Sequence, residues 1–280
     1  MRRRYRAFSV ALILVAGSGL YLTRSPKKVA PVAPVVVQHK YVALGDSIAS
    51  GEGLPSPSDS SACDRSDEAY PTVVAHALKL ELKSFACTGA TLTKGVLGAQ
   101  GVNNLNVDSQ VTQLFSVGDI SLVTLTVGAN DIGWVSMLSK CYTIDCGSTD
   151  DSAQLASKTT VVVSNLIKTL DILKNQPKIF VTGYYQLVPA SSKSCDTILG
   201  ISDREAVWIR QQDDALNKAI AGALTGYNNA HFVQPDFSGH EICTKDAWVQ
   251  GLQDKAPFHP NSAGQNAIGQ AIVTAFNANL

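Results

Sequence analysis

The chain has 280 residues, 45% of them hydrophobic, and a mean hydropathy of +0.07, which fits a soluble globular protein with room for one α/β domain. Its 23 basic and 23 acidic residues cancel, but seven Lys/Arg and no acid lie in residues 1–38, leaving 16 basic against 23 acidic residues beyond them. A mildly acidic body with no basic run after Lys28 excludes nucleic acid as a partner, because phosphate binding needs clustered Lys and Arg on the folded domain.

The chain opens on Met1-Arg2-Arg3-Arg4-Tyr5-Arg6, followed by an apolar stretch over 7–22. A positive flank and an apolar core make an export signal. No small-x-small cleavage site stands out near 20–23, and the stretch falls between a signal core and a spanning helix. Residues 1–24 are therefore expected as a signal peptide or an N-terminal membrane anchor, with the body exported in either case. Residues 25–39 are Pro- and Val-rich and read as an extended linker. Six cysteines follow, at positions 63, 87, 141, 146, 195 and 243. An even count in an exported chain reads as three disulfides whose pairing the spacing leaves open, with Cys141 and Cys146 natural local partners. No CxxC pair or Cys/His cluster has zinc spacing, so no metal is expected.

After the linker, 41–44 is a short β-rich run that ends at Gly45-Asp46-Ser47. Residues 70–80 have apolar residues at helical spacing, with Pro71 suited to a first turn. A second strand is predicted over 82–86 and a short helix over 108–115. The run ISLVTLTV at 120–127 is the strongest strand, a β-branched-rich run of the kind buried in a parallel sheet. A helix over 149–175, a strand over 178–182, a helix over 203–224, a strand over 231–233 and a closing helix over 262–277 follow. Strands alternating with helices predict a parallel sheet covered on both faces, in one domain over 40–280 without repeats.

Chemistry in such sheets gathers at the carboxyl ends of the strands. Four segments fall there or in a late loop: GDS at 45–47, CTGAT at 87–91, GAND at 128–131 and FHPN at 258–261. Ser47 offers a hydroxyl and its own N–H at a strand-end turn, where acyl transfer needs both a nucleophile and oxyanion donors. Gly89 lets backbone approach a substrate oxygen. Asn130 offers a carboxamide donor, and His259 a base. Each has a plainer reading: helix caps for Ser47 and Asn130, and turn residues for Gly89 and His259. His39, His76, His231 and His240 have weaker claims, lying in the linker, a helix, a strand start and beside a cysteine.

Taken in order, GDSIASGEG, CTGAT, VGANDIGW and FHPN resemble the SGNH (GDSL-like) hydrolases, and in particular their secreted actinobacterial esterase and lipase branch. The resemblance covers about Tyr41 to Leu280. It implies a three-layer α/β/α flavodoxin-like fold with a central five-stranded parallel sheet in the order 2-1-3-4-5. It implies Ser47 as nucleophile, His259 as base, and Ser47, Gly89 and Asn130 as the oxyanion hole. It also implies the disulfides Cys63–Cys87, Cys141–Cys146 and Cys195–Cys243. In one respect the chain departs from many relatives, which carry an Asp three residues before the histidine. Ala256 stands there, so His259 is expected to be oriented by a main-chain carbonyl at Ala256 or by Asp254.

The expected activity is that of a secreted or membrane-tethered serine esterase or lipase, extracellular or at the cell surface. No cofactor is needed, the substrate is a small-molecule, lipid or glycan ester, and the protein is expected to be a monomer. A cell-envelope carbohydrate O-deacetylase or acyltransferase would share these residues and differ in its pockets. A non-catalytic anchored binding module would not require Ser, oxyanion donors and His together.

Overall fold

Three apolar strands form the centre of the molecule, which the computed structural model describes over residues 39–55, 62–189 and 200–279. In β1 (Lys40–Gly45), β5 (Ile120–Thr126) and β6 (Ile179–Thr182), the residues Tyr41–Leu44, Leu122, Val123, Leu125 and Ile179–Val181 are fully buried. Burial of successive residues, which point to opposite faces of a strand, means that both faces are covered. With β2 (Glu81–Ser84) and β7 (Ala230–Val233) they make a five-stranded sheet in the order β2-β1-β5-β6-β7, every pairing parallel. That is the expected 2-1-3-4-5 order, and the domain is α/β.

Among the described residues, two pairs of helices cover the sheet. On one side α2 (Tyr70–Leu78) packs on α8 (Ser262–Ala278), and on the other α6 (Thr149–Leu173) packs on α7 (Asp203–Ala223). Right-handed crossovers account for the sides, since the chain moves from β1 to β2 in one direction and from β5 through β7 in the other. Ser148 and Ser202 start α6 and α7 with capping boxes, each side chain bonded to the N–H of Asp151 or Glu205 and answered in return.

The second strand, read from the sequence as 82–86, is Glu81–Ser84, yet Phe85 and Cys87 still donate to the carbonyls of Ala43 and Gly45. The pairing thus leads directly into the Gly89 loop. Elements not anticipated are the short helices α1 (Ser47–Ser50), α4 (Ala129–Ile132) and the longer α5 (Trp134–Thr143), and a hairpin of β3 (Gln100–Val102) and β4 (Leu105–Val107). The predicted 108–115 helix is α3 (Gln110–Leu114), capped by Ser109.

Disulfides join Cys63 to Cys87 and Cys141 to Cys146. Cys195 of the third expected pair lies outside the described residues, as do residues 1–38 with the expected leader and most of the linker. Among the described residues no helix is long and apolar enough to cross a membrane, and no group of His, Cys, Asp and Glu could hold a metal ion.

Candidate active site

The site forms where β1 and β5 end side by side, the point at which the strand order reverses direction. Gly45 ends β1 with φ +141°, and a Cβ there would meet the Thr126 carbonyl oxygen at 2.4 Å, so the close approach of the two strands needs glycine. Gln110 of α3 grips the same residue twice, accepting from Gly45 N–H at 2.7 Å and donating to its carbonyl at 2.8 Å.

Asp46 follows and caps α1, its Oδ1 accepting the Ile48 N–H at 2.9 Å. Its Oδ2 accepts the Tyr184 hydroxyl at 2.6 Å, and that hydroxyl accepts the Ala129 N–H at 3.0 Å. One tyrosine oxygen therefore fixes the turn after β1 to the turn after β5. Burial pushes the Asp46 carboxyl up to about 7, against the two hydrogen bonds that favour its ionised form.

Ser47 is the first residue of α1, so its N–H has no acceptor within the helix. Its hydroxyl lies 2.7 Å from Nε2 of His259. On the other side of the ring, Nδ1 lies 3.0 Å from the carbonyl oxygen of Pro257. A carbonyl only accepts, so Nδ1 carries the hydrogen and Nε2 is left to accept from Ser47. A main-chain carbonyl thus lies at Nδ1, as one of the two expectations had it, but it belongs to Pro257. The Ala256 carbonyl takes the His259 N–H instead, and the Asp254 carboxylate takes the Gly251 N–H at 2.7 Å.

The histidine loop is held against its own strain. Phe258 adopts a left-handed φ of +69°, unusual for a bulky residue. The buried Tyr185 hydroxyl donates to its carbonyl at 2.6 Å. Gln250 donates from its backbone to His259 O at 2.7 Å and from its side chain to Pro260 O and Glu52 O at 3.1 Å each. Glu52 faces the ring, with Oε2 3.7 Å from Nε2 of His259, and the Thr88 hydroxyl donates to the same oxygen.

Gly89 sits two residues past Cys87 with φ +70°, where a Cβ would meet only Gln100 Nε2, at 3.7 Å. Space would admit a side chain there, so the left-handed backbone is what favours glycine. Asn130 in α4 donates one carboxamide hydrogen to Ala90 O at 3.0 Å, which leaves the second for another acceptor. Its neighbour Asp131, pushed up to about 6 by burial, accepts the Leu92 N–H at 3.0 Å. Asn130 and Asp131 thereby tie α4 to the Gly89 loop.

Ser47, Asn130 and His259 share one cleft, whose apolar wall includes Trp134, Leu138, Tyr185 and Leu187. Asp213 of α7 also lines it, its carboxyl held well above the usual range by burial. The remaining histidines are occupied elsewhere: His39 with Asp119, His231 against Phe180, and His240 stacked on Trp248. His76 lies near the end of α2. Tyr184, Tyr185, Gln110, Gln250, Pro257 and Glu52 were not singled out from the sequence. Tyr184, Tyr185 and Gln110 act across long separations, whereas Pro257 and Glu52 lie close in sequence to His259 and Ser47, and the glycine-rich run after Ser47 gave the one local signal, for Glu52.

Residues 43–267 match the model of the GDSL-like Lipase/Acylhydrolase family. The chain belongs to that family. Lipase 1 of Streptomyces coelicolor is 31% identical over 284 residues, which cover 94% of this chain and 96% of that protein. A lipase of Streptomyces rimosus is 29% identical over 275 residues, covering 94% of each. The crystal structure of an extracellular lipase from Streptomyces rimosus is similar in fold, with a TM-score of 0.68 at 24% identity, covering 86% of this chain and all of that one. As a member of the GDSL-like family the chain is a carboxylic ester hydrolase.

Proposed function

We propose that the enzyme hydrolyses its esters through an acyl-enzyme formed on Ser47. His259 takes the Ser47 proton at Nε2 as Oγ attacks the ester carbonyl, and the Pro257 carbonyl steadies the imidazolium through Nδ1–H. The negative charge that develops on the carbonyl oxygen is met by the N–H groups of Ser47 and Gly89 and the second carboxamide hydrogen of Asn130. His259 returns its proton to the leaving alcohol. It then takes a proton from water, which attacks the acyl carbonyl, and gives that proton to Ser47 Oγ as the acyl–serine bond breaks and the acid leaves.

One observation carries this reading: the 2.7 Å contact between Ser47 Oγ and His259 Nε2, with the opposite nitrogen committed to a carbonyl. A serine in the first turn of a helix and a turn histidine 212 residues apart have no structural need to meet. The apolar cleft beside Ser47 suits the acyl part of a fatty or short aliphatic ester, in line with the lipases among the relatives.

The basic and apolar start of the chain supports export, with the enzyme released or tethered at the cell surface. The test is stoichiometric labelling by a serine-directed organophosphate, mapped by mass spectrometry, beside rates on p-nitrophenyl esters of graded length and on acetylated glycans. Labelling anywhere but Ser47 would remove the mechanism, and a preference for acetylated glycans would remove the lipase assignment.

A further inference from the structure

We propose that Glu52 is a positioning residue for His259, supplying from the Nε2 side the negative charge that the Nδ1 side lacks. The inference rests on the Ser47–His259 reading and extends it. A carbonyl at Nδ1 orients the ring and steadies the imidazolium by its dipole but brings no full charge, so any full counter-charge during acylation comes from elsewhere. Among the described residues, Glu52 is the carboxylate that makes an ion-pair contact with His259, its Oε2 3.7 Å from Nε2 and its side chain 32% exposed.

Its backbone is anchored at both ends. The Glu52 N–H donates to the Ser47 carbonyl at 3.0 Å, and its own carbonyl accepts from Gln250 Nε2. The Thr88 hydroxyl holds the carboxylate in place, one residue before Gly89. Glu52 thus touches the nucleophile turn, the donor loop and the histidine loop together.

The geometry makes this contact selective for the charged state. While His259 is neutral, Nε2 presents a lone pair that accepts from Ser47, and a carboxylate 3.7 Å away forms no hydrogen bond with it. Once Nε2 is protonated the same oxygen faces a positive ring. An interaction that strengthens as the proton moves lowers the barrier, whereas one equal in both states does not.

Several other groups surround the ring and share its clefts. Asp46 lies under Ser47, Tyr184, Tyr185 and Asp213 line the apolar wall, and Lys255 precedes the histidine loop. Asp254 is turned to Gly251, and Asp131 to Leu92. Comparing variants that differ at one residue cancels their common contribution.

The experiment measures kcat/KM against pH on p-nitrophenyl butyrate for the wild type, Glu52→Gln, Thr88→Val and Ser47→Ala. A carboxylate beside the ring favours imidazolium, so removing its charge should move the acidic limb to lower pH by about half to one unit. The plateau should fall roughly tenfold or more, mainly in kcat. Thr88→Val keeps the charge and should leave the midpoint in place, whatever its effect on rate. An unmoved midpoint in Glu52→Gln, or an equal shift in Thr88→Val, overturns the proposal in favour of a purely structural tether. If Glu52→Gln is too slow to profile, NMR titration of His259 with and without Glu52→Gln in the Ser47→Ala background reads the same midpoint directly, and an unmoved value there overturns the proposal equally. An active Ser47→Ala would instead sink the underlying site assignment.

Discussion

The carbonyl oxygen of Pro257 lies 3.0 Å from Nδ1 of His259, where many serine hydrolases place a carboxylate. The donated hydrogen fixes the tautomer without a buried charge, and the ring cannot lose this partner to mutation of a side chain.

Asp254 is therefore expected to carry little catalytic weight. Asp254→Asn should keep kcat/KM within about tenfold of wild type, against the roughly 10⁴ loss when a triad Asp becomes Asn in a protease. A loss of 10³ or more in the folded variant would mean that the carboxylate swings to the ring during turnover.

Ser47→Ala and His259→Ala should each abolish ester hydrolysis while leaving the thermal transition and far-UV spectrum of the domain in place. Both side chains sit at the cleft, outside the apolar core. Residues that act as a unit lose most of their effect when either goes, typically by several orders of magnitude. A near-normal rate in either variant contradicts the assignment.

Asn130→Ala should lower kcat by roughly 10² to 10³ with a smaller change in KM, the signature of a donor used only as charge develops. Because Asn130 also donates to Ala90 O, some stability should be lost with it. An unfolding measurement separates the two effects. If the drop in kcat is tenfold or less, Asn130 is a brace between loops and nothing more.

Asp46 leads to a prediction about stability and pH. Its folded value of about 7 stands above the ordinary 3.8, so the folded state holds a proton that the unfolded chain has lost over that interval. The Asp46 contribution to stability is thus fully present below about pH 4 and declines as pH rises toward 7. Asp46→Asn cannot ionise and should flatten this part of the stability curve. Unfolding midpoints at matched pH values would show it, and an unchanged slope would mean that Asp46 is ionised throughout.

Much of the sheet was legible in the sequence because β1, β5 and β6 are buried on both faces and read as short runs of mostly apolar and β-branched residues. The helix α5 was not, since Gly133 breaks GAND from the apolar positions that follow and hides their helical spacing. The hairpin turn at Asn103-Asn104 has two positive φ angles, a use of asparagine that passes for ordinary loop composition. Ser47, Gly89, Asn130 and His259 could be picked out because each belongs to a short segment at a strand end or late loop. Their partners could not. Tyr184 reaches Asp46 across 138 positions, and the choice of Pro257 over Ala256 depends on the left-handed turn at Phe258.

The Cys63–Cys87 bridge pins the segment after Ser50 to the base of the Gly89 loop, where the Thr88 N–H also donates to Cys63 O. In a reducing compartment that staple is open, and the loop that presents the Gly89 N–H loses its covalent anchor. Ester hydrolysis is then expected to weaken, because Ser47 and His259 lie outside the stapled loop while Gly89 lies on it. Activity followed against a graded thiol buffer should fall before the fold does, and a parallel loss of both would place the bridge in the service of stability alone.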